Sequence, residues 1–453
     1  MLVRGVGLRG AVAINVITMV GIGPLITIPL VLGALHGPLS LIGWLAGAVL
    51  ALCDGLIWAE LGAAFPGSGG TYGYLRNVFG KQRVGALLSF VFAWQTVASV
   101  PLLLASGYIG FANYAAYLVP SLATHPLEQK LLAAGVGVVT LLALYRGITT
   151  VGRIGVVLAI VVALTMACAI VAAFVHFSPS QAFAFGTADS FWTGLRGGFG
   201  QALIIAMYDY VGYGAASAIG DEVIAPKRTL PRAIVVAIGL VAVAYVTLQT
   251  GILGAVRWES VIPHADGSLP PLGQYLASAV VEHAFGVPAA IVVTVLILIT
   301  AFASVFGNLL SFSRVPYAAA TDGAFWRAFA HLDARGRFPD VALLVIGVLA
   351  LPACFFSLDA AIAWLTTGTV LIGPVAQIAA VFVMRARGQR SPFRMWWYPL
   401  PAAIALVGWL FVFASAGASA IAFGLLSLGT GIAAFLIGAK MRAAWPFAAQ
   451  QRS

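Results

Sequence analysis

Charge is scarce in this 453-residue chain: Asp, Glu, Lys and Arg make up 8% of it, where a soluble globular domain carries roughly a quarter. A water-soluble fold is therefore excluded. Cysteine is scarce too. Cys53, Cys168 and Cys354 lie far apart, inside or at the edge of apolar runs, so neither a disulfide framework nor metal-ligand spacing emerges, and they read as packing residues. No apolar run has a histidine in its interior, and none contains a lysine. Metal or acyl-transfer chemistry would gather His, Cys or carboxylates at one depth, and a redox-linked proton pump would place Lys and Glu in successive helices. A polytopic membrane enzyme is thus the disfavoured class, and no cofactor or metal is expected.

What the chain does have is apolar length. Hydrophobic residues reach 61% and mean hydropathy is +1.02, and uncharged stretches repeatedly attain the roughly 20 residues that an α-helix needs to cross hydrocarbon. Twelve such spans are predicted, at about 10–34, 37–63, 84–118, 131–147, 153–176, 197–221, 233–256, 286–312, 341–356, 360–384, 397–416 and 418–439. The first lacks a small-residue cleavage pattern and reads as a retained helix. Basic residues collect on the cytoplasmic side of membrane helices. With the N-terminus inside, only Lys130, Arg196 and Arg257 of the 24 Lys and Arg fall outside. The net charge of +10 is then a topological signature and gives no reason to expect nucleic acid as a partner. Both termini are expected in the cytoplasm.

Two of the spans are interrupted by Gly-x-Gly, at Gly21-Ile22-Gly23 and Gly212-Tyr213-Gly214. Similar triplets at 5–7, 67–69, 135–137, 198–200 and 429–431 warn that glycine also serves close helix packing. Topology separates this pair from the others. Five helices precede the one containing Gly212, so the first break runs outward and the second inward, as in a five-plus-five inverted repeat. Discontinuous helices in corresponding halves point to a transporter's binding site. On this reading the whole chain, 1–453, is one transmembrane domain: a first repeat at about 10–176, a second at about 197–384, and two appended helices at about 397–439.

Unwinding exposes backbone groups at the ends of half-helix dipoles. Gly21, Ile22 and Gly23 are candidates to present amides to a substrate carboxylate, with Pro24 opening the outer half-helix because a first turn does not need its missing N–H. Thr18 and Met19 would offer carbonyls. Asp209 is the most informative ionisable residue, because a carboxylate near the midplane costs a few kcal/mol unless paired, hydrated or protonated. It is a candidate to accept an amino group, a coupling proton, or both, although satisfying N–H groups freed at the break is the competing role. Tyr208, Tyr210 and Tyr213 beside it are candidates for closing over a substrate or for cation–π contact. Asp54 is the second proton-coupling candidate, and Glu60 is expected to pair with a loop arginine. Asn15, Gln95, Gln201, Asn308, Thr366 and Thr367 read individually as interhelical glue. Gln95 and Asn308 stand out because their helices would be symmetry mates. Three inner segments mix turn formers with basic residues: 66–72, 225–232 and 314–338, the last with an amphipathic helix expected around Ala324-Phe325-Trp326-Arg327.

Several strings carry a resemblance: GIGP in the first helix, AELGAAFPGSGGTYGYLRNVFG from Ala59 to Gly80, GDEVIAPKRTLPRAI from Gly220 to Ile234, and SRVPYAAATDG from Ser313 to Gly323. With these the chain resembles the amino acid-polyamine-organocation superfamily over essentially its full length. The resemblance implies an all-α polytopic membrane protein with a LeuT-like five-plus-five inverted repeat, twelve transmembrane helices with helices 1 and 6 broken, and alternating access. It places the substrate between helices one, three, six, eight and ten. It puts Met19, Gly21, Ile22 and Gly23 on the α-amino-acid moiety, Tyr213 at an aromatic gate and Asn308 facing the site, and Gly212 marks the second break. One feature departs from proton-coupled members that carry a lysine in helix five: the run from Ile154 to Val175 has no charge. The expectation is a secondary transporter of amino acids or related amines in the cytoplasmic (inner) membrane, coupled to protons by symport. An amino acid/polyamine exchanger is the alternative. Substrate, protons and the lipid bilayer are the partners implied.

Overall fold

Gly21 and Gly212 decide where the helices stop. The computed structural model describes residues 5–67, 69–80, 84–146, 151–264, 268–333 and 338–441, with backbone alone at 146 and 151–159. Ser68 of the predicted inner segment and the outermost residues of both termini lie outside the described residues. Helix α1 (Leu8–Val20) ends where Gly21 takes φ 39°, ψ −137°, and α2 (Gly23–Leu35) restarts at once with Pro24 in its first turn. A side chain at Gly21 would be strained at that φ. The two halves are bent by 46°.

The chain then folds through α3 (Ser40–Ala64), the short α4 (Thr71–Phe79) and the 35-residue α5 (Val84–Leu118). Helices α6 (Pro126–Arg146) and α7 (Val151–Val175) lead to α8 (Ala188–Tyr210). Helix α8 ends at the second break, where Gly212 has φ 134°. Beyond this break the chain differs from the expected inner half-helix over 212–221: α9 (Ala215–Ala218) is a single turn, succeeded by a 3-10 turn at Gly220–Glu222. The physical reason lies next door. A β-carbon at Gly220 would come 2.7 Å from the Gly67 carbonyl oxygen, so the segment is pressed against the loop that carries Gly67 instead of standing free as a helix.

The second half contains α10 (Pro226–Ala255), α11 (Leu276–Phe285), α12 (Val287–Phe312) and α13 (Arg314–Thr321). It continues with α14 (Asp340–Ala353), α15 (Leu358–Val370), α16 (Pro374–Ala386), α17 (Leu400–Ser415) and α18 (Ala418–Met441). Helix α11 lies in what reads as a loop from the sequence. The amphipathic helix expected around 324–327 is absent. Gly323, at φ 71°, ends the helix before it, and the chain makes a 3-10 turn at Arg327–Ala330. Phe325 and Trp326 pack instead on Phe90, with ring centroids 5.1 and 6.2 Å away.

Among the described residues, seven helices are long and apolar enough to cross a membrane, or eight if the bent pair α1–α2 counts as one span. Helices α14 and α17, which coincide with two further predicted spans, are shorter apolar helices, and α8 is not among the seven. The protein is therefore a polytopic all-helical membrane protein.

Packing at its centre uses small residues, as expected where lipid tails supply no hydrophobic drive between helices. A β-carbon at Gly47 of α3 would come 2.9 Å from the Ala206 methyl of α8, and one at Gly55 would come 3.2 Å from Ile234 of α10. Between these helices Trp44 stacks edge-on with Tyr245 and Tyr210 at 5.1 and 6.2 Å and donates from Nε1 to Gln249 Oε1 at 2.9 Å. Such a wedge of aromatic rings holds the end of α8 against α3 and α10.

Candidate functional site

The two breaks touch. A β-carbon on Gly212 would meet the Met19 amide nitrogen and the Thr18 carbonyl carbon, each at 3.0 Å, so the second break needs glycine both for its φ and for its contact with the first. Tyr245 of α10 braces both. Its hydroxyl lies in donating distance of the Met19 carbonyl (2.9 Å) and the Asp209 carbonyl (3.1 Å). Asn15 adds a second link, its Oδ1 accepting the Ala216 N–H at 2.8 Å. The carbonyl expected at Met19 is thus present, but it is held by a tyrosine that nothing in the sequence singles out.

Asp209 is 1% exposed and sits against the first turn of α2. Thr27, one turn beyond Gly23, donates its hydroxyl to Oδ2 at 2.5 Å. The other oxygen, Oδ1, is buried without a hydrogen-bond partner among the described residues. It lies where a side chain on Gly23 would be: a β-carbon there would overlap Oδ1 and come 3.2 Å from the carboxyl carbon. The same hypothetical β-carbon would lie 3.7 Å from the Tyr208 ring, and the Tyr208 hydroxyl pairs with Ser106 Oγ of α5 at 2.7 Å. Glycine at position 23 therefore makes room for the Asp209 carboxylate, with the Tyr208 ring in ordinary contact beside it.

The other predicted residues divide. Gly21 faces Ser304 of α12, whose hydroxyl would be 2.6 Å from a β-carbon at Gly21, and Asn308 Nδ2 is 3.5 Å from that hydroxyl. Asn308 thus reaches the first break through Ser304. Ile22 is buried in the core. Tyr213 turns away from the first break: its hydroxyl donates to Asp54 Oδ2 at 2.5 Å, and its ring stands edge-on to Trp58 at 6.4 Å. Asp54 Oδ1 accepts from Trp409 Nε1 of α17 at 3.1 Å. Gln95 lies eleven positions before Ser106 on α5, about 16 Å along a helix axis, and its buried side-chain nitrogen has no hydrogen-bond partner among the described residues.

Glu60 does pair with an arginine, though one on a helix where a loop residue was expected. Arg385 at the end of α16 forks onto it at 2.7 and 2.6 Å, and the Met395 N–H donates to the same carboxylate at 2.8 Å. The bidentate geometry explains why so buried a carboxylate is tolerated. The N-terminal segment pairs with the chain after the second break, Gly5 and Val6 donating to Glu222 O and Ile224 to Val6 O. Tyr72 donates to Asp322 at 3.0 Å and accepts from Arg76 at 2.9 Å. Burial pushes the Tyr72 hydroxyl well above its usual value, so it stays a donor there.

Thr27, Ser106, Tyr245 and Ser304 complete the site without having been legible as such. A threonine one turn after a helix break was the only available signal, and hydroxyl residues in membrane helices are too common for it to stand out.

The family model described as amino acid permease matches residues 7–441. The chain belongs to the amino acid permease family. Membership of this family, within the amino acid-polyamine-organocation superfamily, makes it a transporter and not an enzyme. Cationic amino acid transporter 4 of Mus musculus is 27% identical over 379 residues, which cover 78% of this chain and 55% of that protein. The serine/threonine exchanger SteT of Bacillus subtilis (strain 168) is 25% identical over 431 residues, covering 91% of each. The aspartate-proton symporter of the same bacterium is 26% identical over 316 residues, covering 68% of this chain and 58% of that one. The chain thus spans little more than half of two of these relatives and nearly all of the third.

Proposed function

We propose that this permease is a secondary active transporter of amino acids or related amines, working by alternating access in the cytoplasmic (inner) membrane with both termini inside. The observation that carries the reading is the meeting of two helix breaks beside a buried carboxylate, Asp209, one of whose oxygens has no hydrogen-bond partner among the described residues. Similarity to an exchanger, a proton symporter and a cationic amino acid transporter supports the substrate class. The proposed architecture is the LeuT-like arrangement of twelve spans, two inverted five-helix repeats at about 10–176 and 197–384 and two appended helices, in one domain.

The substrate lies beside the junction of the two breaks, lined by Met19, Gly21, Ile22 and Gly23 of the first and Tyr208, Asp209 and Gly212 of the second, with Asn308 acting through Ser304. Tyr208 closes over it from the outer side, held by Ser106. Tyr213 and Gln95 belong to the surrounding shell. Coupling is by proton symport, with Asp209 rather than Asp54 as the proton carrier, because Asp54 already has a donor on each oxygen. In proteoliposomes, uptake from a radiolabelled amino acid and amine panel should depend on an inward proton gradient, and Asp209→Asn should uncouple it. Uptake that ignores the gradient but rises with internal substrate would establish the exchanger instead.

A further inference from the structure

Asp209 occupies ground that an amino acid needs. A half-helix N-terminus attracts anions because the first-turn N–H groups lack intrahelical acceptors and carry the positive end of the dipole. The first turn of α2, a 13-residue helix, offers such an end at Gly23. In this protein a resident carboxylate is already packed on that turn, with Oδ2 on Thr27 and Oδ1 against Gly23. The orphan Oδ1, on a residue 1% exposed, is an acceptor awaiting either a proton or a donor from a ligand.

Resting on the transport reading above, we propose that Asp209 and the carboxylate of the substrate compete for the first turn of α2, so that an amino acid binds only to the protonated form of Asp209 and a carboxylate-free amine binds to the ionised form. Two carboxylates about 4 Å apart at an effective dielectric near 20 repel enough to weaken binding roughly a thousandfold. Protonation removes that repulsion and lets Oδ1 donate, which makes one proton accompany each amino acid. For an amine the same oxygen is instead the anionic partner of the ammonium, and protonation removes the attraction.

The groups facing Asp209 allow this balance. Tyr208 and Tyr210 flank it on α8, Tyr245 faces it from α10 and Thr27 from α2. No ion pair to a Lys, Arg or His is formed by Asp209 among the described residues. With no fixed cation to hold it ionised, the carboxyl is free to take up and release a proton as its ligand changes.

The test measures equilibrium binding to the purified, full-length protein between pH 5 and 8, a range in which amino acids and aliphatic amines do not change their own charge. Each of serine, lysine, arginine and tyrosine is paired with the amine lacking its carboxylate: ethanolamine, cadaverine, agmatine and tyramine. Amino acid affinity should fall at least tenfold across the range, while amine affinity should hold or rise. Asp209→Asn should flatten the amino acid profile and weaken amines at least tenfold, and Asp209→Ser serves if the amide variant is unstable. A flat wild-type amino acid profile, or a pH dependence that survives in both variants, overturns the competition while leaving the transport reading intact. Failure of every amino acid and amine to bind at any pH overturns both.

Discussion

Asp209 and Asp54 are equally buried, each 1% exposed, and each sits beside one of the residues around the second break, yet their surroundings differ in one decisive respect. Asp54 receives a hydroxyl on one oxygen and an indole N–H on the other, tying α3 to Tyr213 and to α17. Asp209 receives one hydroxyl, and its second oxygen, against a glycine, has no hydrogen-bond partner among the described residues. A buried polar group with every valence met rigidifies its neighbourhood, whereas an unmet one is expensive and calls for a ligand or proton. Burial and residue type are shared, so the contrast lies in the partners.

The largest expected effect comes from removing charge at the unmet site. Asp209→Asn should abolish proton-driven accumulation, leaving at most a few per cent of uptake under a pH gradient while binding of an amino acid persists. Retained accumulation would erase the distinction between the two carboxylates. Next is the space that brings Asp209 to the first break. Gly23→Ala should lower uptake at least tenfold with little loss of folded protein, because the new methyl displaces the Asp209 carboxylate while the surrounding helices keep their packing. Asp54→Asn should behave differently: thermal stability should fall by roughly 1–3 kcal/mol, the cost of disturbing a buried hydrogen-bonded group, and uptake should drop several-fold, but its dependence on pH should keep the wild-type shape. A flattened pH profile in that variant would make Asp54 the proton carrier after all. The smallest effect is expected for Tyr245→Phe, which removes one hydroxyl shared by two carbonyls. In membrane proteins such bonds contribute about 0.6 kcal/mol on average, so a melting-temperature decrease of about one degree and a modest rise in KM are anticipated.

Much of this arrangement is legible in the amino-acid order. The helix breaks fall at Gly21 and Gly212 as the glycine triplets indicate, because φ of 39° and 134° leaves few residues to choose from. Asp209 is conspicuous as a carboxylate in an apolar run. Tyr213 is harder, since three tyrosines flank the second break and nothing in their spacing says that one turns to Asp54 while another turns to Ser106. Those orientations depend on which helices lie alongside, and α3, α5 and α17 are brought there by long-range packing. The inner half of the sixth span departs from expectation for a similar reason: contact between Gly220 and the Gly67 carbonyl, 153 positions apart in sequence, shortens it to a turn.

The sequence by itself determined that this protein lives in a membrane, where its helices can break, and which carboxylates are exposed to hydrocarbon unless something answers them. These properties arise from composition, from glycine and proline, and from the cost of burying charge, all of which are local or additive. Only the tertiary structure decided what answers each carboxylate. Whether a buried oxygen meets a tyrosine, an indole, a threonine or nothing is a matter of a few ångströms between segments distant in the chain, and hydrogen bonds fade over that same distance.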